Sequence, residues 1–269
     1  MLEGLAVAAA DGVKPQIISV ASIQTRERFL ALVAESFDVL VLVDHAPFAA
    51  GAGPTAADSV HGEAQRAVIA FELARRAERT LVLSADDVAG WPTALAKLLG
   101  LPFSGGVTPP PVQAGVEVPE GLPMSTYLAP LFFAAAQTCR PTLVWSREAF
   151  LDGDAPGKTL PATVEIAGRA RILAYGPYLP LPAGGWRARA YLGFSPDIGE
   201  MPFILEVDTG GAVSRGFFEV DRGGIFTLDL DFQVADALHL VEMRLISQES
   251  ALDGLVSLIE IVLEPIGVA

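Results

Sequence analysis

Residues 175–194 read YGPYLPLPAGGWRARAYLGF. A Gly-Pro step, two more prolines and a Gly-Gly pair stand directly before a strictly alternating run. In that run Trp186, Ala188, Ala190, Leu192 and Phe194 share one parity, and Arg187, Arg189 and Tyr191 the other. A period of two sends alternate side chains to opposite faces of a strand. The expectation is a bend over 175–185, then a strand whose Trp186 side faces a core. The same period continues downstream. Phe203, Leu205 and Val207 alternate with Ile204, Glu206 and Asp208, and Phe226, Leu228, Leu230, Phe232 and Val234 alternate with Thr227, Asp229, Asp231 and Gln233. Further strands are expected over 164–166, 171–175, 214–220, 239–246 and 257–264. With Gly210-Gly211 and Gly223-Gly224 as turns, about eight short strands describe an antiparallel β-sandwich, with a jelly roll as the expected version.

The N-terminal half has another rhythm. Residues 16–23 (QIISVASI), 37–43 (FDVLVLV) and 79–84 (RTLVLS) are apolar and rich in β-branched residues, as buried strands are. Thr25 is placed to cap a helix carrying Phe29, Leu30, Leu32 and Val33. Ser59 opens a longer one in which Ala64, Val68, Phe71 and Ala74 recur at helical spacing, and a third is expected over 93–99 before Gly100. The order β-α-β-α-β-α is that of a small parallel sheet covered by helices. Six prolines and four glycines between 101 and 123 read as an extended connector. Residues 124–138, apolar almost all round, read as a buried helix, 142–145 as a short strand and 152–158 as a second polar linker. The fold expected is therefore α/β plus all-β: an α/β domain over 1–103, linker and buried helix over 104–159, and a jelly-roll sandwich over 160–269.

Bulk numbers narrow the partners. The 269 residues are 51% hydrophobic with a mean hydropathy of +0.44, enough apolar surface for two cores. The most apolar run, 124–139, is broken by Pro130 and Gln137 and is shorter than the roughly 20 residues of a membrane span, so no membrane partner is expected. Net charge is -14, and an acidic surface repels phosphate backbones, which argues against nucleic acid. Cys139 is the single cysteine and there are three histidines. That excludes an internal disulfide, fits a cytoplasmic setting, and leaves no Cys/His zinc set. No cofactor is expected.

Candidate sites fall in both halves. Asp44 and His45 follow one expected strand, and Asp86, with Ser84 and Asp87, follows another. Open α/β sheets bind ligands at such strand ends, so these are the candidates for acid–base catalysis. Residues 153–159 (GDAPGKT) imitate a phosphate-binding loop but are one residue short, and Leu160-Pro161 follows where a helix should begin. In the sandwich, Tyr191 with Arg187 and Arg189 on one face, opposite Asp229 and Asp231, would offer a flat ring beside planar donors and acceptors, which suits sugar recognition. Tyr178 is a further candidate contact. Cross-strand Arg–Asp pairing alone would also account for the charged members.

Two resemblances accompany these patterns. LVLVDHAPFAAGAG, the long helix and RTLVLSADDVAGWPTALAKLLGLP together resemble the later half of sulfotransferase-type P-loop proteins over residues 37–103. Asp44 stands where that family has its phosphosulfate-binding Arg, and no glycine-rich loop follows Ile23, so the resemblance implies a degenerate scaffold. Residues 160–265 are similar to β-sandwich domains appended to bacterial sulfotransferase-like and glycosyltransferase proteins. The shared pattern reads here Tyr175-Gly-Pro-Tyr178, Leu181-Pro-Ala-Gly-Gly-Trp186-Arg187, LDLDFQV at 228–234 and Ile261-Val-Leu-Glu-Pro265. It implies a non-catalytic, carbohydrate-binding-like protein connected with bacterial glycan metabolism and taking a glycan as partner. The alternatives are a sugar-directed transferase working near Asp44 and Asp86, and an assembly subunit that forms homo-oligomers through the 124–139 helix.

Overall fold

The computed structural model describes residues 16–19, 25–35, 37–43, 56–83 and 141–267. The chain divides into two compact units, Met1–Gly121 with Leu131–Cys139, and Leu122–Pro130 with Arg140–Ala269.

In the first unit, three strands, β1 (Gln16–Ser19), β2 (Phe37–Val43) and β3 (Ala77–Leu83), pair in parallel in the order β1-β2-β3. Between them lie α1 (Arg26–Val33) and α2 (Ala56–Ala74). Thr25 caps α1 as expected: its hydroxyl accepts from the Arg28 N–H at 3.3 Å, worth about 1 kcal/mol. Phe29 is buried, whereas Leu30 is exposed, so the apolar face of α1 is narrower than its composition suggested. α2 starts three residues before Ser59. Its end is apolar nearly all round, with Ala67, Val68, Ile69, Ala70, Phe71, Leu73 and Ala74 all buried, which marks a core helix rather than a surface one. Asp44, His45, Asp86 and the expected 93–99 and 124–138 helices lie outside the described residues.

The second unit holds two sheets of antiparallel strands. One has the order β10 (Val213–Val220), β9 (Met201–Asp208), β12 (Leu240–Ser247), β7 (Arg171–Pro180), β5 (Leu151–Asp152). The other has the order β11 (Gly224–Val234), β8 (Gly184–Phe194), β13 (Leu255–Ile266), β4 (Leu143–Ser146), with β6 (Val164–Glu165) also paired to β13. β12 lies between β7 and β9, and β13 between β8 and β4, so each sheet is closed by a strand that arrives late in the chain. β4 and β5 precede residue 160: β4 is the short strand expected over 142–145, shifted by one residue, and both strands pair into the sheets of the sandwich. No helix follows Thr159, and residues 153–158 form an irregular loop, as the missing helix signal required.

Trp186, Ala188, Ala190 and Leu192 are buried together with Leu143, Trp145, Ile261 and Leu263 from one sheet and Phe203, Leu205, Val207, Val241 and Met243 from the other. An aromatic cluster joins the sheets: Phe194 lies 5.2 Å from Phe203, which stacks on Phe218 at 5.5 Å. Trp186 donates its indole N–H to the Pro182 carbonyl at 2.8 Å, so the one polar atom of the largest core side chain is satisfied by the turn before it. Gly185 sits opposite Ile266, where an added Cβ would lie 2.7 Å from the Ile266 carbonyl oxygen; glycine is needed for that approach.

Two expectations are corrected here. Residues 175–180 are not part of a bend: they continue β7, and only Leu181, Pro182 and Ala183 turn into β8. β5 pairs only with Ala174 and Tyr175, so one edge of β7 is unpaired from Gly176 onward. Pro177, lacking an N–H, is tolerated there. Secondly, Phe226, Leu228 and Leu230 are half-buried rather than core residues, because β11 is an edge strand whose inner face is covered on one flank only.

One side chain ties the loops at one end. Arg171 grips Asp154 through Nε and Nη2 at 2.8 and 3.0 Å. It also donates to the carbonyls of Glu165 (2.7 Å), Ile166 (3.3 Å), Ala167 (3.2 Å) and Arg169 (3.3 Å).

Candidate functional site

Five of the six binding residues expected from the sequence meet on the outer face of the β11-β8-β13-β4 sheet. β11 and β8 pair with Asp231 opposite Arg187, Asp229 opposite Arg189 and Thr227 opposite Tyr191. β13 completes the rows, with Glu264 opposite Arg187 and Glu260 opposite Tyr191. Arg187 holds Asp231 bidentately at 2.7 and 2.9 Å, and Arg189 holds Asp229 at 2.8 and 2.9 Å. Hydrogen bonding and charge from the aspartates raise both guanidinium pKa values, and the arginines lower those of Asp229 and Asp231. All four groups are substantially exposed, so the pairs order the surface more than they stabilise it. Tyr191 is half-buried. Two guanidinium groups stand among four carboxylates on this face, leaving no surplus of positive charge for an anionic ligand.

Tyr178 does not join them: it lies on the other sheet. The pairing of β7 with β12 skips it, passing from Leu179–Val241 to Pro177–Glu242, and it is the one non-glycine residue with positive φ among the described residues, at 60°. This bulge brings its hydroxyl to Glu242, to which it donates at 2.8 Å. Tyr175 meets its ring edge-on, centroids 6.1 Å apart. Burial, then the Glu242 carboxylate, push the Tyr178 hydroxyl pKa well up, keeping it a donor.

The chain of contacts that continues from Tyr178 was not expected from the sequence. Arg244 binds Glu242 bidentately, through Nε at 2.9 Å and through Nη2, and reaches Glu206 with Nη1 at 2.7 Å. Arg215 closes the chain on Glu206 at 2.6 Å. The Glu206 side chain is only 7% exposed. Burial pushes its carboxyl up, but the two guanidinium groups more than offset this and hold it below the usual carboxylate range. The signal was present: Glu206 on β9 and the Glu-x-Arg of β12 occupy the outward parity. Their partnership needed the knowledge that β12 inserts between β9 and β7.

No family model and no curated protein matches the chain. Over about half of its length it is similar to solved β-sandwich structures at low identity. One is the K1 cleaved adhesin domain of Lys-gingipain from Porphyromonas gingivalis, at 14% identity over 47% of this chain and 99% of that one, TM-score 0.35. Another is the CBM22-1 xylan-binding domain of Xyn10C from Paenibacillus barcinonensis, at 10% identity over 47% and 95%, TM-score 0.33. A third is TmCBM61 in complex with β-1,4-galactotriose, at 13% over 47% and 89%, TM-score 0.29.

Among the described residues, no group of three His, Cys, Asp or Glu side chains could hold a metal ion, and no helix is long and apolar enough to cross a membrane.

Proposed function

We propose that this is a non-catalytic carbohydrate-binding-like protein whose sandwich, a jelly roll, holds a neutral glycan on the β11-β8-β13 face. The observation that carries the reading is the row Thr227–Tyr191–Glu260 beside the bidentate Arg189–Asp229 pair. The half-buried Tyr191, on the outward parity of β8, supplies a ring that can stack on the C–H side of a pyranose. The neighbouring carboxylates accept from hydroxyl groups, and each arginine keeps Nη1 to donate to them. The late insertion of β12 and β13 into the two sheets supports the jelly-roll reading. Residues 1–103 belong in this proposal as a degenerate α/β scaffold, supported by the parallel order of β1, β2 and β3, and the whole as a component of bacterial glycan metabolism.

Titration calorimetry with neutral oligosaccharides, xylohexaose and β-1,4-galactotriose, tests it. Binding by the wild type that weakens on Tyr191→Ala is the expected result. Silence with every neutral glycan on an array, or binding indifferent to Tyr191→Ala, refutes this placement.

A further inference from the structure

We propose that the outer face of the β10-β9-β12-β7 sheet is a second glycan-binding face, which takes an extended neutral chain laid across the strands. This rests on the reading of the sandwich as carbohydrate-binding, but on different residues.

The strand registers sort this face into stripes that run perpendicular to the strands. Phe217, Ile204, Ile246 and Ile172 are paired in succession across four strands. Phe217 is 65% exposed and Ile172 38%. Next to it, Arg215, Glu206, Arg244 and Tyr175 are paired in the same way. Beyond these come Asp208, Glu242 and the bulged Tyr178. An apolar stripe beside a polar one matches the two sides of a pyranose chain, one of C–H groups and one of hydroxyls. Strands lie roughly 4.8 Å apart, close to the length of one sugar unit, so a chain running along the stripes meets a fresh side chain from each strand.

The charges specify which glycan. Arg215 is engaged by Glu206, and Arg244 by Glu206 and Glu242, so a sulfated or uronate chain finds no uncompensated cation, whereas neutral hydroxyls find a fixed array of donors and acceptors. Tyr178 indicates that the array is built for use. A side chain at positive φ is strained, such strain persists only where the surroundings enforce it, and it gathers at ligand clamps. Here it stands the phenol against Glu242 and sets its ring across that of Tyr175.

The experiment uses the strain itself. Glycine accepts φ near +60° freely, so Tyr178→Gly removes the ring and leaves the backbone at ease. With xylohexaose as probe, calorimetry should give two equivalents bound per wild-type chain, one in Tyr178→Gly, one in Tyr191→Ala and none in the double variant. Phe217→Ala, at an exposed position, should weaken the second site roughly fivefold, the worth of one aromatic contact. Loss of all binding in Tyr191→Ala alone would overturn the second face and leave the first. Loss of all binding in Tyr178→Gly alone would retain the second face and remove the first. A wild type that binds no neutral chain overturns both.

Discussion

Arg189 and Arg244 each hold a carboxylate with Nε and Nη2 on the outer face of a sheet, but they stand in different settings. Arg189 and Asp229 form an isolated pair open to water. Arg244 is the centre of a chain running from Tyr178 through Glu242 to Glu206 and Arg215, and Glu206 is nearly enclosed. Similar residue types thus serve as a cross-strand surface ladder on one face and, with Arg244 and Glu242 two residues apart on one strand, as part of the structure on the other. The lesson is that burial, rather than pairing, sets what an ion pair is worth.

The largest expected difference between the faces comes from Arg244→Ala. It leaves Glu206 with Arg215 alone, and urea unfolding should show a loss of about 2 kcal/mol. That is below the roughly 3–5 kcal/mol of a fully enclosed ion left unpaired, because Arg215 remains. Arg189→Ala should cost much less, because its pair is open to water, and equal losses would break the comparison.

Acid should separate the faces next. The pKa of Glu206 is depressed in the folded state, so its contribution is present above the ordinary glutamate pKa and fades as the pH falls through the lowered value. Unfolding measured from neutral pH down to about pH 3 should therefore show a steeper acid loss for the wild type than for Glu206→Gln. Asp229→Asn should change that slope less, since exposure discounts its shift. A double-mutant cycle on Arg187 and Asp231 should return a coupling close to the error of the measurement, since both groups are exposed. Smallest of all, Tyr178→Gly should alter stability by less than about 1 kcal/mol, relief of positive φ nearly cancelling one lost hydrogen bond.

The first face was legible because alternation is a local signal. The parity of 186–194 and 226–234 assigned Trp186 inward and Arg187, Arg189 and Tyr191 outward, and complementary charge matched the two strands. The second face was hidden wherever parity breaks. The bulge at Tyr178 shifts the count, so the prolines around it imitated a bend. The sheet of the first face has an irregularity of its own between Leu258 and Glu260: Val256 and Leu258 are buried before it, Ile261 and Leu263 after it, and Ile259 is left exposed. Glu206 and Arg244 are separated by 38 residues, and only the insertion of β12 brings them side by side.

Arg171 shows a different kind of economy. Its guanidinium gathers oxygens from Asp154 and from four backbone carbonyls between Glu165 and Arg169, a convergence of acceptors that a bound cation could also satisfy. Here the chain carries the cation covalently, at the first residue of β7. The loops at 152–158 and 165–169 therefore share one anchor, and neither can lengthen or shift without releasing the other. A lysine at this position, with three donors and no planar fork, could keep the charge but not the joint.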